Sequence, residues 1–240
     1  HSDTHSFPTR RSSDLADVLA ELKNKNAGTY SFLFQFDGRP SFLGSSPERL
    51  YMRDGNEIYT EALAGTRPVG KCSDEKDLYR QQLLASEKER SEQDYVFDEV
   101  DGVLNEICVE KEVLCRREVV SFKNLQHLQS LFSGRLKDGI SDCGIIKALH
   151  PTAAVNGFPG EVAGEIINKY EPFSREWFAG PVGWIGADKA DFAVGIRSAV
   201  MKGREISLFA GAGIVKSSKP DEEWLETENK MKQFIDIFES

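Results

Sequence analysis

The chain has no cysteine pair with the spacing of a metal or redox motif. Its four cysteines, Cys72, Cys108, Cys115 and Cys143, are scattered. That argues against a zinc knuckle or a disulfide framework and leaves reduced thiols as the default. No apolar run is long enough to span a bilayer as a helix. G-x-G-x-x-G and Walker A patterns are both absent, so no standard phosphate loop is present. There is no G-x-S-x-G elbow and no Ser/His/Asp motif. An excess of positive charge is missing too. Asp and Glu number 39 against 30 Lys and Arg, a net charge of -9. This balance argues against general nucleic-acid binding and against anionic membrane surfaces. No internal repeat is visible. Cytosol, or the soluble lumen of an organelle, fits these absences.

What is present reads as one domain. His1 to Leu15 differ from the rest, being rich in Ser, Thr, His and Arg without apolar periodicity. They lack the apolar core of a signal peptide. They resemble a translated sequencing-adapter read, so residues 1–15 are expected to be non-native and loosely packed, with the domain proper over 16–240. A helix is predicted over 16–25, ending near Gly28. Tyr30–Phe36 and Pro40–Gly44 flank Asp37-Gly38 and predict a β-hairpin. Further strands are expected at 50–53 and 57–63. Residues 74–114 are charged and helical, as two helices or one broken helix. Strands return at 113–122 and 125–136, and a short helix covers 142–149. A Gly- and Pro-rich loop over 150–160 precedes a helix at 161–170. Strands at 177–186, 190–201 and 204–210 lead to a C-terminal helix opened by Pro220 and Asp221. Runs of strands separated by helix blocks indicate an α+β fold with largely antiparallel β-sheets flanked by helices.

The stretch Gly211-Ala212-Gly213 follows an apolar strand and allows close backbone approach. Glu223 and Glu226, three apart, share one face of the last helix. Together they suit a divalent cation with an anionic ligand, although from spacing alone an ordinary turn and a solvated acidic face are the commoner reading. Glu48 lies in a Ser-Ser-Pro-Glu loop between strands. Arg197 ends an apolar run, where a cation needs a carboxylate partner from the protein or a ligand. His150 opens the long loop. Taken singly, Glu48, Glu92 and His150 also fit bland structural roles.

In combination these segments resemble the chorismate-binding enzymes, and most closely the isochorismate synthases. The matching stretches are Phe42–Leu50, Thr60–Arg67, Val119–Leu128, His150–Ala154, Glu171–Trp184, Phe192–Ser198, Leu208–Val215 and Glu223–Thr227. The resemblance implies a Mg²⁺-dependent conversion of chorismate to isochorismate, feeding quinone, siderophore or salicylate synthesis. It implies Glu92 and Glu226 as Mg²⁺ ligands and Glu223 as a carboxylate reaching the metal through water. It implies Gly65 and Thr66 as backbone donors to the ring carboxylate, and Arg197 as the partner of the enolpyruvyl carboxylate. Gly211 and Gly213 would admit the substrate against backbone. Lys230 would orient Glu226 or reach a substrate carboxylate, and His150 would line the site. Glu48 is implied as the general acid that protonates the departing C4 hydroxyl while water attacks C2. Such an acid needs a raised pKa near neutral pH.

The family's water-activating lysine lies well upstream of the Ser-Pro-Glu motif, and neither Lys23 nor Lys25 stands in that context. The chain is therefore expected to be the C-terminal portion of such a domain, N-terminally truncated, with little or no turnover. Ala64 argues against the aminodeoxychorismate branch, which carries lysine there. Anthranilate synthase, with an amidotransferase partner, and salicylate synthase stay open as alternatives, as does a non-catalytic chorismate binder. The cytoplasm, or the plastid stroma in a plant or alga, is the expected compartment.

Overall fold

The computed structural model describes residues 2–6, 15–203 and 205–238. Eleven strands form two sheets in which every neighbouring pair is antiparallel. The five-stranded sheet contains β1 (Ser2–Ser6), β2 (Tyr30–Phe34), β3 (Ser41–Ser46), β10 (Ser198–Lys202) and β11 (Glu205–Phe209), in the order β1-β11-β10-β3-β2. The six-stranded sheet contains β4 (Arg49–Asp54), β5 (Glu57–Pro68), β6 (Cys108–Ser121), β7 (Leu125–Leu136), β8 (Pro181–Ile185) and β9 (Lys189–Val194). Its order is β6-β7-β5-β4-β9-β8.

Each sheet carries its own helices. On the larger sheet, α2 (Ser73–Ala85) is followed by α3 (Glu87–Ile107), with Ser86 accepting from the Glu89 amide as N-cap. Such a cap satisfies one of the orphan donors that open a helix. Val96, Phe97, Val100, Leu104 and Ile107 recur at helical spacing and are buried on α3. They pack with Leu50, Tyr51, Ile58 and Phe132 of the sheet and with Ile145 and Leu149 of α4 (Asp142–Leu149). The smaller sheet packs against α1 (Leu15–Lys25) and α7 (Pro220–Phe238). Leu15, Val18 and Leu22 meet Leu43, Ile206, Leu208, Met231 and Phe234 there. A one-turn helix, α5 (Ala153–Asn156), lies in the Gly- and Pro-rich segment, and α6 (Gly160–Tyr170) follows it. Among the described residues, no helix is long and apolar enough to cross a membrane.

The expected α+β class with largely antiparallel sheets is the one observed. Three local expectations differ. Helix does not continue to residue 114, because β6 starts at Cys108 and its edge pairs with β7. The expected strand over 190–201 is two strands in different sheets, separated at Gly195–Arg197. Residues 1–15 are not uniformly loose. Ser2–Ser6 pairs with β11, and Leu15 is buried in the helix core. An edge strand offers unpaired amides and carbonyls to any extended segment. Residues 7–14 of that stretch lie outside the described residues.

The seam between the sheets positions the candidate chemistry. β3 and β10 pair in one sheet, while their continuations β4 and β9 pair in the other. The two crossovers, Pro47-Glu48 and Gly195–Arg197, therefore run side by side. The Ser45 amide donates to the Arg197 carbonyl (3.1 Å), and the Val194 amide donates to the Glu48 carbonyl (3.1 Å).

Candidate functional site

Glu48 and Arg197 owe their burial to these crossovers, where the chain must pass between two packed layers. Glu48 is 3% exposed. Burial pushes its carboxyl up to about 8, helped by the Glu61 carboxylate and opposed by the charges of Lys230 and Arg197. Glu61 is itself fixed, accepting from the Arg49 amide (2.5 Å) and from Gln129 Nε2 (2.6 Å). Arg197 adopts φ 49°, in the left-handed region that a non-glycine residue enters only under constraint. Burial lowers its guanidinium to about 10, still fully charged at neutral pH.

His127, on β7, ties the seam to β5. Its Nδ1 lies 3.0 Å from the Gly65 carbonyl, which can only accept, so Nδ1 carries the proton. Its Nε2 then accepts from Arg197 Nη2 at 3.4 Å. Burial first, then the Arg197 and Lys230 charges, hold this imidazole neutral, well below the ordinary histidine range. The neutral tautomer is thus matched to a cation on one side and a carbonyl on the other.

Across from the seam, the first turns of α3 and α7 bring carboxylates together. Glu89 and Glu92 come from α3, and Glu223 and Glu226 from α7. The Lys88 ammonium sits among all four. Its Nζ lies 2.7 Å from Glu223, 3.3 Å from Glu92, 3.8 Å from Glu89 and 3.9 Å from Glu226. Burial works against the charge on Lys88, but the Glu223 bond and the other three carboxylates raise it above an ordinary lysine. Glu92 is pushed up to about 7, chiefly by burial. Burial also raises Glu226, yet Lys230, Lys88 and Arg197 outweigh it and hold the group below the usual carboxylate range. Lys230 binds Glu226 Oε1 at 2.5 Å and the Gly211 carbonyl at 2.8 Å. Glu223 Oε2 is buried with no hydrogen-bond partner among the described residues. Among the described residues, no three His, Cys, Asp or Glu side chains stand close enough to form a ready metal site; the carboxylates are spaced around the ammonium instead.

The glycines divide in role. Gly65 sits on a bulge of β5 at φ 72°, and a Cβ there would meet Glu89 Cβ at 3.1 Å. Gly213 leaves room for Glu92, whose carboxyl carbon would lie 3.1 Å from an added Cβ. At Gly211 an added Cβ would meet nothing within 4 Å, so that backbone faces open space. Thr66 differs from expectation: its amide donates to Glu89 Oε2 (3.0 Å) and is not free for a ligand. His150 caps α4, and burial alone lowers its imidazole pKa. Among the described residues, no hydrogen bond or ion pair joins its ring to the carboxylates or to Arg197. Thus Glu48, Arg197, Gly65, Thr66, Gly213, Glu92, Glu223, Glu226, Lys230 and Gly211 are linked by contacts or charge, while His150 has no polar contact with them among the described residues. Lys88, Glu89, Glu61 and His127 were not singled out from sequence. The only signals were the strings Lys88-Glu89-Arg90 and Gln126-His127-Leu128, inside segments already noted for other reasons.

A family model described as chorismate binding enzyme matches residues 2–239. The isochorismate synthase MenF of Haemophilus influenzae is 38% identical over 232 residues, covering 97% of this chain and 54% of that protein. Isochorismate synthase 2, chloroplastic, of Arabidopsis thaliana is 39% identical, over 92% of this chain and 40% of that one. The structure of the menaquinone-specific isochorismate synthase MenF from Escherichia coli superposes with a TM-score of 0.88 at 33% identity, over 99% of this chain and 54% of that one. The chain thus spans about half the length of the curated relatives it matches. With matches along almost its whole length in both sequence and fold, this chain belongs to the chorismate binding enzyme family.

Proposed function

We propose that this site binds chorismate and serves its isomerisation to isochorismate. The observation that carries the reading is Glu48, a buried carboxyl raised to about 8 beside a buried, charged Arg197. A carboxylic acid that keeps its proton at neutral pH can give it to a departing hydroxyl. In this reading Glu48 protonates the C4 oxygen as it leaves, and water adds at C2. Arg197 holds the enolpyruvyl carboxylate, with His127 fixing the guanidinium plane. A dianion entering an acidic protein needs local positive potential. Arg197 and Lys230 supply part of it.

The rest is assigned to Mg²⁺. The donor set fits: hard carboxylate oxygens from two helices, one of them without a partner, already gathered around a cation. Glu92 and Glu226 would hold the ion directly, Glu223 through water, and Glu89 stands close enough to support them. When bound, the ion neutralises the ring carboxylate of the substrate. Gly65 and the Thr66 amide contribute to that carboxylate once Glu89 releases the amide. Gly211 and Gly213 give the ring space against backbone, and Lys230 keeps Glu226 in place. Lys25 is paired with Glu21 (2.7 Å) and is not a candidate for the base that activates water. Little or no turnover is expected of these 240 residues. The product would feed quinone, siderophore or salicylate synthesis, in the cytoplasm or, in a plant or alga, the plastid stroma.

Chorismate titrated calorimetrically with and without Mg²⁺ tests the reading, with chromatography of the products. Saturable, Mg²⁺-enhanced binding, with isochorismate as any product formed, is expected. Anthranilate formed in the presence of ammonia would replace this reading with an aminating one. No binding under either condition would remove it.

A further inference from the structure

Lys88 has no part in the reading above, yet it occupies the centre of the carboxylate cluster. Its ammonium is within 4 Å of carboxylates on two different helices, so it is more than an i, i+4 partner of Glu92. An ammonium has three N–H donors and cannot satisfy four carboxylates. Even Glu223, its nearest partner through Oε1, keeps Oε2 buried without a hydrogen-bond partner among the described residues. A divalent cation with six oxygen ligands would satisfy more of them. A unit charge fixed at that point also repels any second cation brought to the same oxygens, most strongly where water is excluded.

We propose that Lys88 is the resident counter-ion of the metal-free site and competes with the divalent cation for it. In this account the ammonium holds α3 and α7 together before metal arrives and must swing out from the N-terminal turn of α3 when metal enters. The site is then empty of metal but not of charge, and occupancy depends on exchanging one cation for another. This makes Lys88 a positioning residue that sets the divalent-cation concentration at which the site fills. The inference rests on the reading of the cluster as a metal site.

The test uses the full chain and Mn²⁺ alone, with free Mn²⁺ counted by electron paramagnetic resonance. Lys88→Met keeps the length and removes the charge. It is expected to bind Mn²⁺ at least about tenfold more tightly than the parent, a difference of about 1.4 kcal/mol. Metal-free K88M should also melt at lower temperature, with the gap closing at saturating Mn²⁺. Equal or weaker Mn²⁺ affinity in a folded K88M overturns the role of Lys88 while leaving the metal site standing. Failure of both proteins to bind Mn²⁺ overturns the metal reading and this inference with it. Should K88M not fold, reductive methylation of the parent decides. Labelling of Lys88, read by peptide mass spectrometry, should rise several-fold on adding Mg²⁺, and unchanged labelling overturns the proposal.

Discussion

Glu48 at the sheet seam and Glu226 on α7 are both buried glutamates in one site, yet their carboxyls move in opposite directions. Burial raises each. Glu226 has Lys230 at 2.5 Å and Lys88 at 3.9 Å, and these contacts overcome the burial. Among the described residues Glu48 has no cation in ion-pair contact, only the fields of Lys230 and Arg197, which are outweighed by burial and the Glu61 carboxylate. Between these two, the cations within contact decide which acid ionises. A single contact is not enough, since Glu92 is raised to about 7 with Lys88 at 3.3 Å. The fold thus keeps a proton on the residue proposed to donate it and removes it from Glu226, one of the two glutamates proposed to hold metal directly.

The largest effect that would sharpen this contrast is on stability against pH. Glu48 is raised in the folded state, so the folded protein binds more protons than the unfolded one between about 4.5 and 8, and stability falls as pH rises through that window. The loss assigned to Glu48 is on the order of a few kcal/mol. Denaturation in EDTA from pH 5 to 9 should show it. Glu48→Gln should flatten the upper part of the slope, leaving the lower part that Glu92, raised to about 7, contributes. Next comes Arg197→Met, expected to weaken chorismate binding by at least about thirtyfold, as loss of a buried charge partner costs about 2 kcal/mol or more. Calorimetry reads it, and unchanged affinity would detach Arg197 from the substrate.

Much of this architecture is legible in the chain, and the exceptions share a cause. The Asp37-Gly38 hairpin, β7 and α4 fall where periodicity and turn residues put them, because those signals are local. The break at Gly195–Arg197 is hidden, because an apolar run passing between two layers looks like one continuous strand. The start of β6 at Cys108 is hidden because its alternation of partly exposed polar residues reads as charged helix. Glu223 and Glu226 stood out by their spacing and Arg197 by its apolar run, Glu48 and Glu92 took their roles from the resemblance, and the geometry brings all five together. Lys88 and Glu89 stayed invisible, because in a helix as charged as α3 nothing local separates a solvated lysine from one facing another helix. His150 was named by its motif, and its ring is not joined to the cluster. The Thr66 amide was expected to be free, and Glu89 takes it.

Smaller changes test the helix side of the contrast. Gly65→Ala places a side chain at φ 72° against Glu89 and should destabilise the protein by about 1–3 kcal/mol, measured by urea unfolding. Glu226→Gln should weaken Mn²⁺ binding at least about tenfold, since loss of a ligand's supporting partner alone costs that much. Gly213→Ala should cost only a few-fold in Mn²⁺ affinity with stability nearly unchanged, because the Glu92 carboxylate at the far end of its side chain can shift.

The most direct measurement is a pH titration of the glutamate side-chain carboxyl carbons by ¹³C NMR, with E48Q and E226Q to assign the two signals. The account predicts that Glu48 changes charge near pH 8, when Glu226 has long been ionised. Coincident titration of both groups near the ordinary glutamate value would contradict it.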